Sequence, residues 1–199
     1  MGARRVGILA IQGDVEAHRR ALARLGVAAL PVRAAKDLDG IAALILPGGE
    51  STTISKGLAR VALYEPIRAF AQAGRPVLGT CAGLIMLATD LDGEPSGAHG
   101  VRTLGLLDCT VRRNAYGRQI DSFTAAVPLE GLGSAATASP FPAVFIRAPR
   151  LERVGPDVEV LARHDGEPVA VRQGRLLGLA FHPELTDDLR LHRAFLEFA

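Results

Sequence analysis

Cysteine is scarce in this sequence, and neither of the two that occur, Cys81 and Cys109, has another cysteine close to it. Two cysteines without a secretory signal do not make a disulfide framework. Neither belongs to a Cys-x-x-Cys pair, which argues against a zinc site. We therefore expect no structural disulfide and no metal.

Long hydrophobic runs are also missing, since no apolar stretch approaches the length of a membrane span. The N-terminal segment lacks the apolar core and the cleavage site of a signal peptide. Positive and negative charges nearly cancel, with 23 Lys and Arg against 21 Asp and Glu, and no basic run carries interleaved aromatic residues. We therefore expect a cytoplasmic protein that binds neither membranes nor nucleic acid.

The chain has 199 residues, of which 48% are hydrophobic, and we expect residues 1–199 to form a single domain with a sizeable core. Its first half alternates between apolar runs typical of buried parallel strands and segments with helical spacing. The predicted strands are residues 6–11, 27–32, 41–46 and 76–79, and the predicted helices are residues 15–25, a segment that ends at residue 63, and residues 65–73.

This alternation predicts a three-layer, flavodoxin-like α/β fold, in which a mostly parallel central sheet carries helices on both faces. After residue 91 the chain has short strand-like runs and few helices, which indicates an antiparallel addition in the second half. A loop is predicted near its middle, at residues 131–142, and Thr186 is predicted to cap a final helix. The strand-like runs are residues 104–111, 119–127, 143–146, 158–162, 168–171 and 176–181.

A candidate nucleophile follows the fourth predicted strand. Cys81 lies between Gly79 and Gly83, and a helix-like apolar segment comes next. This Gly-x-Cys-x-Gly pattern has the form of a nucleophile elbow, a tight turn between a strand and a helix. The two glycines leave room for close backbone packing, and the start of the helix favours the thiolate. A buried cysteine that packs like a small hydrophobe would also fit this pattern.

A candidate base follows another apolar run. His182 comes directly after residues 176–181 and should lie at the same carboxyl edge of the sheet as Cys81. A cysteine nucleophile needs a base, and the base needs an acceptor that orients it. Glu184, two residues further on in an extended segment, can point to the same side as His182. The alternative is a surface histidine before a turn-forming proline.

The third predicted strand ends in a glycine-rich turn at residues 48–51, with the sequence Gly-Gly-Glu-Ser. Backbone N–H groups in such a turn can form an oxyanion hole, and Glu50 and Ser51 could hold a polar substrate. Ser51 could equally be the N-cap of the following helix. In either case the turn lies at the carboxyl edge of the sheet, near Cys81.

Three of these segments resemble the class I (triad) glutamine amidotransferases. They are Gly-Thr-Cys-Ala-Gly-Leu at residues 79–84, Pro-Gly-Gly-Glu-Ser at residues 47–51 and His-Pro-Glu at residues 182–184. Over essentially the whole chain, the sequence resembles one branch, the PdxT/SNO family of glutaminase subunits of pyridoxal 5′-phosphate synthase. The branch signature is found at residues 9–15 with His18, residues 113–119 with 121–123, and residues 145–149.

The resemblance implies a triad in which Cys81 is the nucleophile, His182 is the base and Glu184 orients the base. An arginine in the glutamine site would suit the α-carboxylate of the substrate, and Gln12 is implied to help in docking a partner. The residues implied to contact glutamine are Gly49, Glu50, Ser51, Arg113, Ile146 and Arg147. Those implied to form the oxyanion hole are Gly48, Gly49 and Ala82.

The activity implied by the resemblance is hydrolysis of L-glutamine to glutamate and ammonia, without a cofactor. The ammonia would pass to a synthase subunit that builds pyridoxal 5′-phosphate (vitamin B6) from ribose 5-phosphate and glyceraldehyde 3-phosphate. Complexes of this family hold up to twelve copies of each subunit. The glutaminase is expected to be weak until its partner docks.

Three other functions stay open on the sequence alone. The chain could be another triad amidotransferase subunit, such as the one for histidine biosynthesis, although residues 116–119 and 145–147 argue against it. It could be a cysteine peptidase or chaperone on a related fold, where histidine commonly follows the nucleophile in place of Ala82. It could also be a silent regulatory subunit, which an intact set of Cys81, His182 and Glu184 disfavours.

Overall fold

The computed structural model describes residues 5–92, 100–113, 122–132 and 139–197. The strands in these ranges are β1 (Arg5–Leu9), β2 (Ala28–Val32), β3 (Ala43–Leu46), β4 (Val77–Thr80), β5 (Ala88–Leu91), β6 (Leu107–Arg112), β7 (Ser122–Val127), β8 (Phe141–Ile146), β9 (Arg150–Val154), β10 (Glu159–His164), β11 (Glu167–Gln173) and β12 (Leu176–Leu179). The helices are α1 (Val15–Arg24), α2 (Ser51–Arg60), α3 (Tyr64–Gln72), α4 (Ala82–Leu87) and α5 (Arg190–Glu197), with short 3₁₀ helices at Ala35–Leu38 and Pro183–Leu185.

The central sheet has the strand order β10-β11-β12-β4-β3-β1-β2. Strands β12, β4, β3, β1 and β2 run parallel, whereas β10 and β11 pair antiparallel. From β1 to β2 the chain steps towards the β2 edge of the sheet, whereas from β3 to β4 it steps towards the opposite, β10 edge. Right-handed crossovers therefore place α1 on one face of the sheet and α2 and α3 on the other. The three-layer α/β fold with a mostly parallel sheet is thus confirmed.

The second half of the chain adds smaller sheets. Strands β7 and β8 form an antiparallel pair, and β9 pairs antiparallel with β6. These pairs confirm the predicted antiparallel addition. The exception is β5, which runs parallel to β6. Neither β5 nor β9 was expected from the sequence. Both are short and half-exposed, and β9 carries three charged residues, so neither has the apolar run that marks a buried strand.

The end of the chain differs from the sequence prediction. We predicted that Thr186 caps the last helix, but α5 begins four residues later. The side chain of Asp188 accepts a hydrogen bond of 3.0 Å from the N–H of Arg190, while Thr186 Oγ1 accepts one of 3.2 Å from the N–H of Asp188. The threonine thus stabilises the turn before the helix. The predicted loop at residues 131–142 also ends earlier, because β8 begins at Phe141, and residues 133–138 lie outside the described ranges.

Helix α2 is capped by Glu50, so the alternative in which Ser51 is the N-cap does not hold. The carboxylate of Glu50 accepts hydrogen bonds of 2.9 Å from the N–H of Thr52 and 2.6 Å from the N–H of Thr53. Burial raises the pKa of Glu50, but these hydrogen bonds outweigh burial and lower the pKa to about 2. The first turn of α2 is therefore held by a carboxylate that stays ionised at neutral pH.

Cys81 occupies a strained turn between β4 and α4. Its backbone has φ 48° and ψ −104°, a region that residues with side chains rarely adopt. Gly83 lies against the carbonyl oxygen of Leu46 on β3, and a methyl group on Gly79 would lie only 2.5 Å from the carbonyl oxygen of Gly83. Both glycines are needed for this close packing, as the sequence pattern indicates.

Strands β1, β3 and β4 form the centre of the core, and nearly all of their residues are buried. Buried side chains of the smaller sheets, among them Val111, Phe141 and Phe145, belong to the same hydrophobic cluster as those of the central sheet. None of the helices in the described ranges combines the length and hydrophobicity that a membrane span requires.

The packing of Gly83 predicts a large loss of stability when a methyl group is added. In Gly83→Ala the new methyl would collide with the backbone of Leu46, so the backbone must shift. We expect the free energy of unfolding to fall by about 3 kcal/mol, measured by chemical denaturation. Gly74→Ala is the control, because its methyl meets no atom within 4 Å and only the positive φ of 75° adds a cost of about 1 kcal/mol. Equal losses in the two variants would contradict the proposed collision.

The cap of α2 predicts a pH-dependent stability difference. We expect Glu50→Ala to lower the free energy of unfolding by about 1 kcal/mol at neutral pH, because two N–H groups lose their acceptor. The pKa of Glu50 is about 2 in the folded protein and 4.5 as a reference, so its ionised form stabilises the fold above pH 4.5. The difference between wild type and variant should therefore shrink as the pH falls from 4.5 towards 2. Urea denaturation at several pH values measures this, and a constant difference would contradict the cap.

Candidate active site

Parallel pairing brings the predicted nucleophile and base together. In the register of β4 with β12, Thr80 pairs with Leu179, and the N–H of Cys81 donates a hydrogen bond of 2.8 Å to the carbonyl oxygen of Leu179. His182 follows three residues later, so it lies at the carboxyl edge beside Cys81, as predicted. Both residues are buried. The thiol of Cys81 points towards β8, with Sγ 3.8 Å from the carbonyl oxygen of Ile146.

Glu184 orients the imidazole of His182. Nδ1 of His182 and Oε1 of Glu184 are 2.7 Å apart, and both side chains are buried. The N–H of His182 donates a hydrogen bond of 2.8 Å to the carbonyl oxygen of Val144, which fixes the histidine backbone. We expected an extended segment here, but Pro183 begins a 3₁₀ turn after His182. This turn is what directs the carboxylate back to the ring.

The charges of this group favour a protonated imidazole. Burial lowers the pKa of His182, but hydrogen bonds with Cys81 and Glu184, together with their negative charges, outweigh it and raise the pKa to about 10. Burial raises the pKa of Glu184, and the bond to His182 acts against that rise. A positively charged imidazole beside a cysteine sulfur is the arrangement that supports a nucleophilic thiolate.

A second carboxylate, which the sequence analysis did not assign to the site, also faces this histidine. Asp14 follows β1 at the same edge of the sheet, and its Oδ2 lies 3.5 Å from Nδ1 of His182. Although Asp14 precedes α1, its side chain makes no capping hydrogen bond there. Its place after a buried strand was the available signal. Ligand atoms of Asp14, His182 and Glu184 lie within 4.8 Å of one another. The short bond between His182 and Glu184 already uses the histidine nitrogen, so a hydrogen-bonded triad fits this geometry better than a metal site.

The glycine-rich turn folds back onto β4. The N–H of Gly48 donates a hydrogen bond of 3.0 Å to Oγ1 of Thr80, and its carbonyl oxygen accepts one of 3.1 Å from the N–H of Asp14. Gly48 was predicted as an oxyanion donor, but in this conformation its N–H is already bonded. The other predicted donors, the N–H groups of Gly49 and Ala82, have no acceptor among the described residues. These two N–H groups are therefore available to a bound ligand.

A pocket of about 490 Å³ opens over Cys81. Its size suits a small amino acid and falls in the range of small-molecule sites. Most of the residues predicted from the sequence line it, whereas Gly48 and Glu184 lie behind the ring of His182. The predicted lining residues are Gly49, Glu50, Ser51, Cys81, Ala82, Arg113, Ile146, Arg147 and His182, and the pocket also includes Gln12, Gly13, Asp14 and Ile85.

Two arginines bring positive charge to this pocket. Arg147 is exposed and has a positive φ of 44°, while Arg113 lies half-buried with Nη2 3.4 Å from Oγ1 of Thr52. Either guanidinium could bind a carboxylate group. Of the branch signature at residues 113–119 with 121–123, residues 114–119 and 121 lie outside the described ranges.

One predicted substrate contact has a different use in the structure. The carboxylate oxygens of Glu50 accept hydrogen bonds from Thr52 and Thr53, so they are occupied by the helix cap. Its N–H donates a hydrogen bond of 2.7 Å to Oε1 of Gln12. Both bonds fix the shape of the turn that carries Gly49.

Comparison with known proteins finds relatives that match nearly the whole chain. The relatives include the pyridoxal 5′-phosphate synthase subunit PdxT of Acidothermus cellulolyticus, 54% identical over 198 residues, which cover 96% of this chain and 92% of the relative. The PdxT subunit of Thermus thermophilus is 52% identical over 195 residues, covering 98% of this chain and 97% of the relative. A crystal structure of a glutamine amidotransferase is 48% identical, with a TM-score of 0.88 and 97% of each chain covered.

A more distant structure supports the fold alone. PurLQS from Thermotoga maritima is 19% identical and has a TM-score of 0.70, with 100% of this chain and 99% of that chain covered. The family match itself extends over residues 8–199, nearly the whole sequence, and includes Cys81, His182 and Glu184. On this match, the chain belongs to the SNO glutamine amidotransferase family.

Proposed function

We propose that this protein is the glutaminase subunit of a pyridoxal 5′-phosphate synthase and hydrolyses L-glutamine to glutamate and ammonia. The observation that carries the proposal is the buried group of Cys81, His182 and Glu184, with its 2.7 Å histidine–carboxylate bond, at the base of an open pocket. Relatives named as PdxT subunits of this synthase, about half identical to the chain, support the same activity.

The proposed reaction begins with attack of the Cys81 thiolate on the carbonyl carbon of the glutamine side-chain amide. The electron pair of the C=O bond moves to oxygen, and the N–H groups of Gly49 and Ala82 bind this oxyanion. His182 gives its proton to the amide nitrogen, the C–N bond breaks, and ammonia departs. A γ-glutamyl thioester remains on Cys81. His182 then takes a proton from water, which attacks the thioester, and glutamate leaves as the thiolate is restored.

The pocket supplies the contacts that hold glutamine during this reaction. Arg113 or Arg147 binds the α-carboxylate, since a guanidinium matches the two carboxylate oxygens. Ser51 and the carbonyl group of Ile146 contact the polar atoms of the substrate. Glu50 contributes through the turn that it holds in place by capping α2.

The ammonia is passed on to a synthase subunit, and we propose assemblies with up to twelve copies of each subunit. Residues 1–199 act as one domain, a view supported by the hydrophobic cluster that joins the sheets in the described ranges. The free subunit is expected to be weak until the synthase subunit docks. A cytoplasmic location stays a prediction of the sequence.

This proposal predicts the effect of replacing each cysteine. We expect Cys81→Ala to lower glutamate release in the presence of the synthase subunit by at least about a thousandfold, because the nucleophile is lost. Cys109→Ala is the matched control and should keep its activity. Burial in the core raises the pKa of Cys109 to about 12, so it stays an uncharged thiol away from the pocket.

The measurement is glutamate released from L-glutamine by wild type and both variants, each with and without the synthase subunit. Wild-type activity that needs the partner supports both the triad and the complex. Strong activity without the partner would contradict membership of the complex and favour a stand-alone glutaminase. Absence of turnover in the folded wild-type complex would point instead to a silent regulatory subunit.

A further inference from the structure

Two fully buried histidines lie behind the triad, on helices that pack together on one face of the sheet. His18 on α1 and His192 on α5 are both 0% exposed, and Nδ1 of His18 is 3.0 Å from Nε2 of His192. The other nitrogen of His18, Nε2, lies 3.2 Å from Oγ1 of Thr80 and 3.4 Å from Oε2 of Glu184. His18 therefore sits between the triad carboxylate and the strand that leads to Cys81.

Glu184, His18 and His192 form a row of buried polar side chains. At its two ends, Oε2 of Glu184 and Nδ1 of His192 have no hydrogen bond of good geometry with any described residue. A buried polar atom without a partner is costly, and an unpaired N–H costs more than an unpaired lone pair. The proton of His192 is therefore better placed on Nε2, where it can be donated to Nδ1 of His18. His18 then carries its own proton on Nε2, directed at Glu184 and Thr80.

The opposite arrangement of protons is unfavourable at both ends. It would leave a buried N–H on Nδ1 of His192 without an acceptor. It would also turn a lone pair of His18 Nε2 towards Oε2 of Glu184, at the 3.4 Å separation at which an ionised carboxylate needs a donor. The surroundings of Glu184 and of His192 thus favour the same tautomer for His18 and His192, with the proton on Nε2.

Thr80 extends this chain to the glycine-rich turn. Its Oγ1 lies within hydrogen-bond distance of Nε2 of His18 and also accepts the bond of 3.0 Å from the N–H of Gly48. A methyl group on Gly48 would collide with the ring of His182, so the position of this turn and that of the catalytic histidine depend on each other. The His18 side chain therefore contacts groups that set both the base and the turn beside the oxyanion donors.

We propose that His18 is a positioning residue for the glutaminase reaction, whose Nε2–H holds the free oxygen of Glu184 and anchors Thr80, with His192 fixing its tautomer. The proposal rests on the glutaminase function proposed above. His18 does not reach the pocket and takes no part in bond making. It acts through Glu184, whose orientation and charge determine how His182 shares its proton with Cys81.

The two histidines can do this without adding charge. Burial lowers the pKa of His18 well below its ordinary value, and the neighbouring His192 and His182 lower it further. Burial also lowers the pKa of His192 to about 4. Two carboxylates lie next to these histidine rings in the described part of the protein. Glu184 faces His18, and Asp14 faces His182. Both buried rings are thus neutral at neutral pH.

Kinetics of His18→Leu and His18→Gln with the synthase subunit present test the proposal. Leucine fills the space but has no donor, whereas the glutamine amide can restore an N–H. We expect His18→Leu to lower kcat about 10–100-fold with little change in KM, as is typical when a residue that orients a catalytic group is lost. Without a donor, Glu184 binds a proton more readily, so the acidic limb of the kcat/KM profile moves to higher pH. His18→Gln should recover most of the rate and the wild-type profile.

Several outcomes would overturn this role. One is a wild-type kcat and an unchanged pH profile in His18→Leu. Another is an equal loss of rate in His18→Leu and His18→Gln with the acidic limb unchanged, because that result would show that His18 is only structural. His164→Gln is the control for the substitution itself. The ring of His164 stacks on Phe145 and lies tilted against Phe123, away from His18 and His192. The activity of this variant should therefore stay at the wild-type level.

A measurement on the wild-type protein covers the case in which His18→Leu does not fold. Nitrogen-15 chemical shifts report which ring nitrogen of each histidine carries the proton. We expect His18 and His192 to be neutral and protonated on Nε2 at neutral pH. A charged ring, or a proton on Nδ1 of either, would overturn the proposal. This result does not depend on turnover, so it stays distinct from a failure of the glutaminase function itself.

Discussion

The parallel pairing of β4 with β12 is the interaction on which the site depends. It joins two segments about a hundred residues apart in the sequence and aligns Thr80 with Leu179, so that both strands end at the same level. Cys81 follows one strand and His182 follows the other shortly after. The strained backbone of Cys81 is tolerated because the glycines around it let α4 pack closely against β3 and β4. A shift in register by one residue would separate the sulfur from the imidazole.

The site also depends on charged side chains that remain ionised although they are buried. His182 holds its proton because Cys81 and Glu184 surround it, although burial alone would remove that proton. Behind His182, Oε2 of Glu184 has no hydrogen bond of good geometry with a described residue. A neutral histidine such as His18 is suited to donate to this oxygen without adding a charge, and burial keeps both His18 and His192 neutral by lowering the pKa of each ring. Polar groups in such an interior stay only where their bonds are satisfied. The pocket, the triad and the buried histidines therefore form one network.

Most of the fold, and the candidate triad, could be predicted because they follow from strand ends. Apolar runs located β1, β3, β4 and β12, and residues after such strands share one edge, which is how Cys81 and His182 were paired. Hydrogen bonds and ion pairs between residues far apart in the sequence were not predictable. Nothing in the sequence indicates that Thr80 would bind the N–H of Gly48, or that Asp14 would turn from its helix to His182. Strands such as β9 were missed because half their residues face solvent.

The proposed reaction depends on attack by Cys81, activated by His182, on the amide carbon of glutamine. Mass spectrometry of the complex with the synthase subunit after exposure to a diazoketone analogue of glutamine tests it most directly, since such a reagent alkylates the nucleophile that it meets in the substrate site. We expect one adduct per chain, on Cys81, whose formation is suppressed by excess glutamine and strongly slowed in His182→Asn. An adduct on Cys109, or labelling of Cys81 that ignores both glutamine and His182, would contradict it.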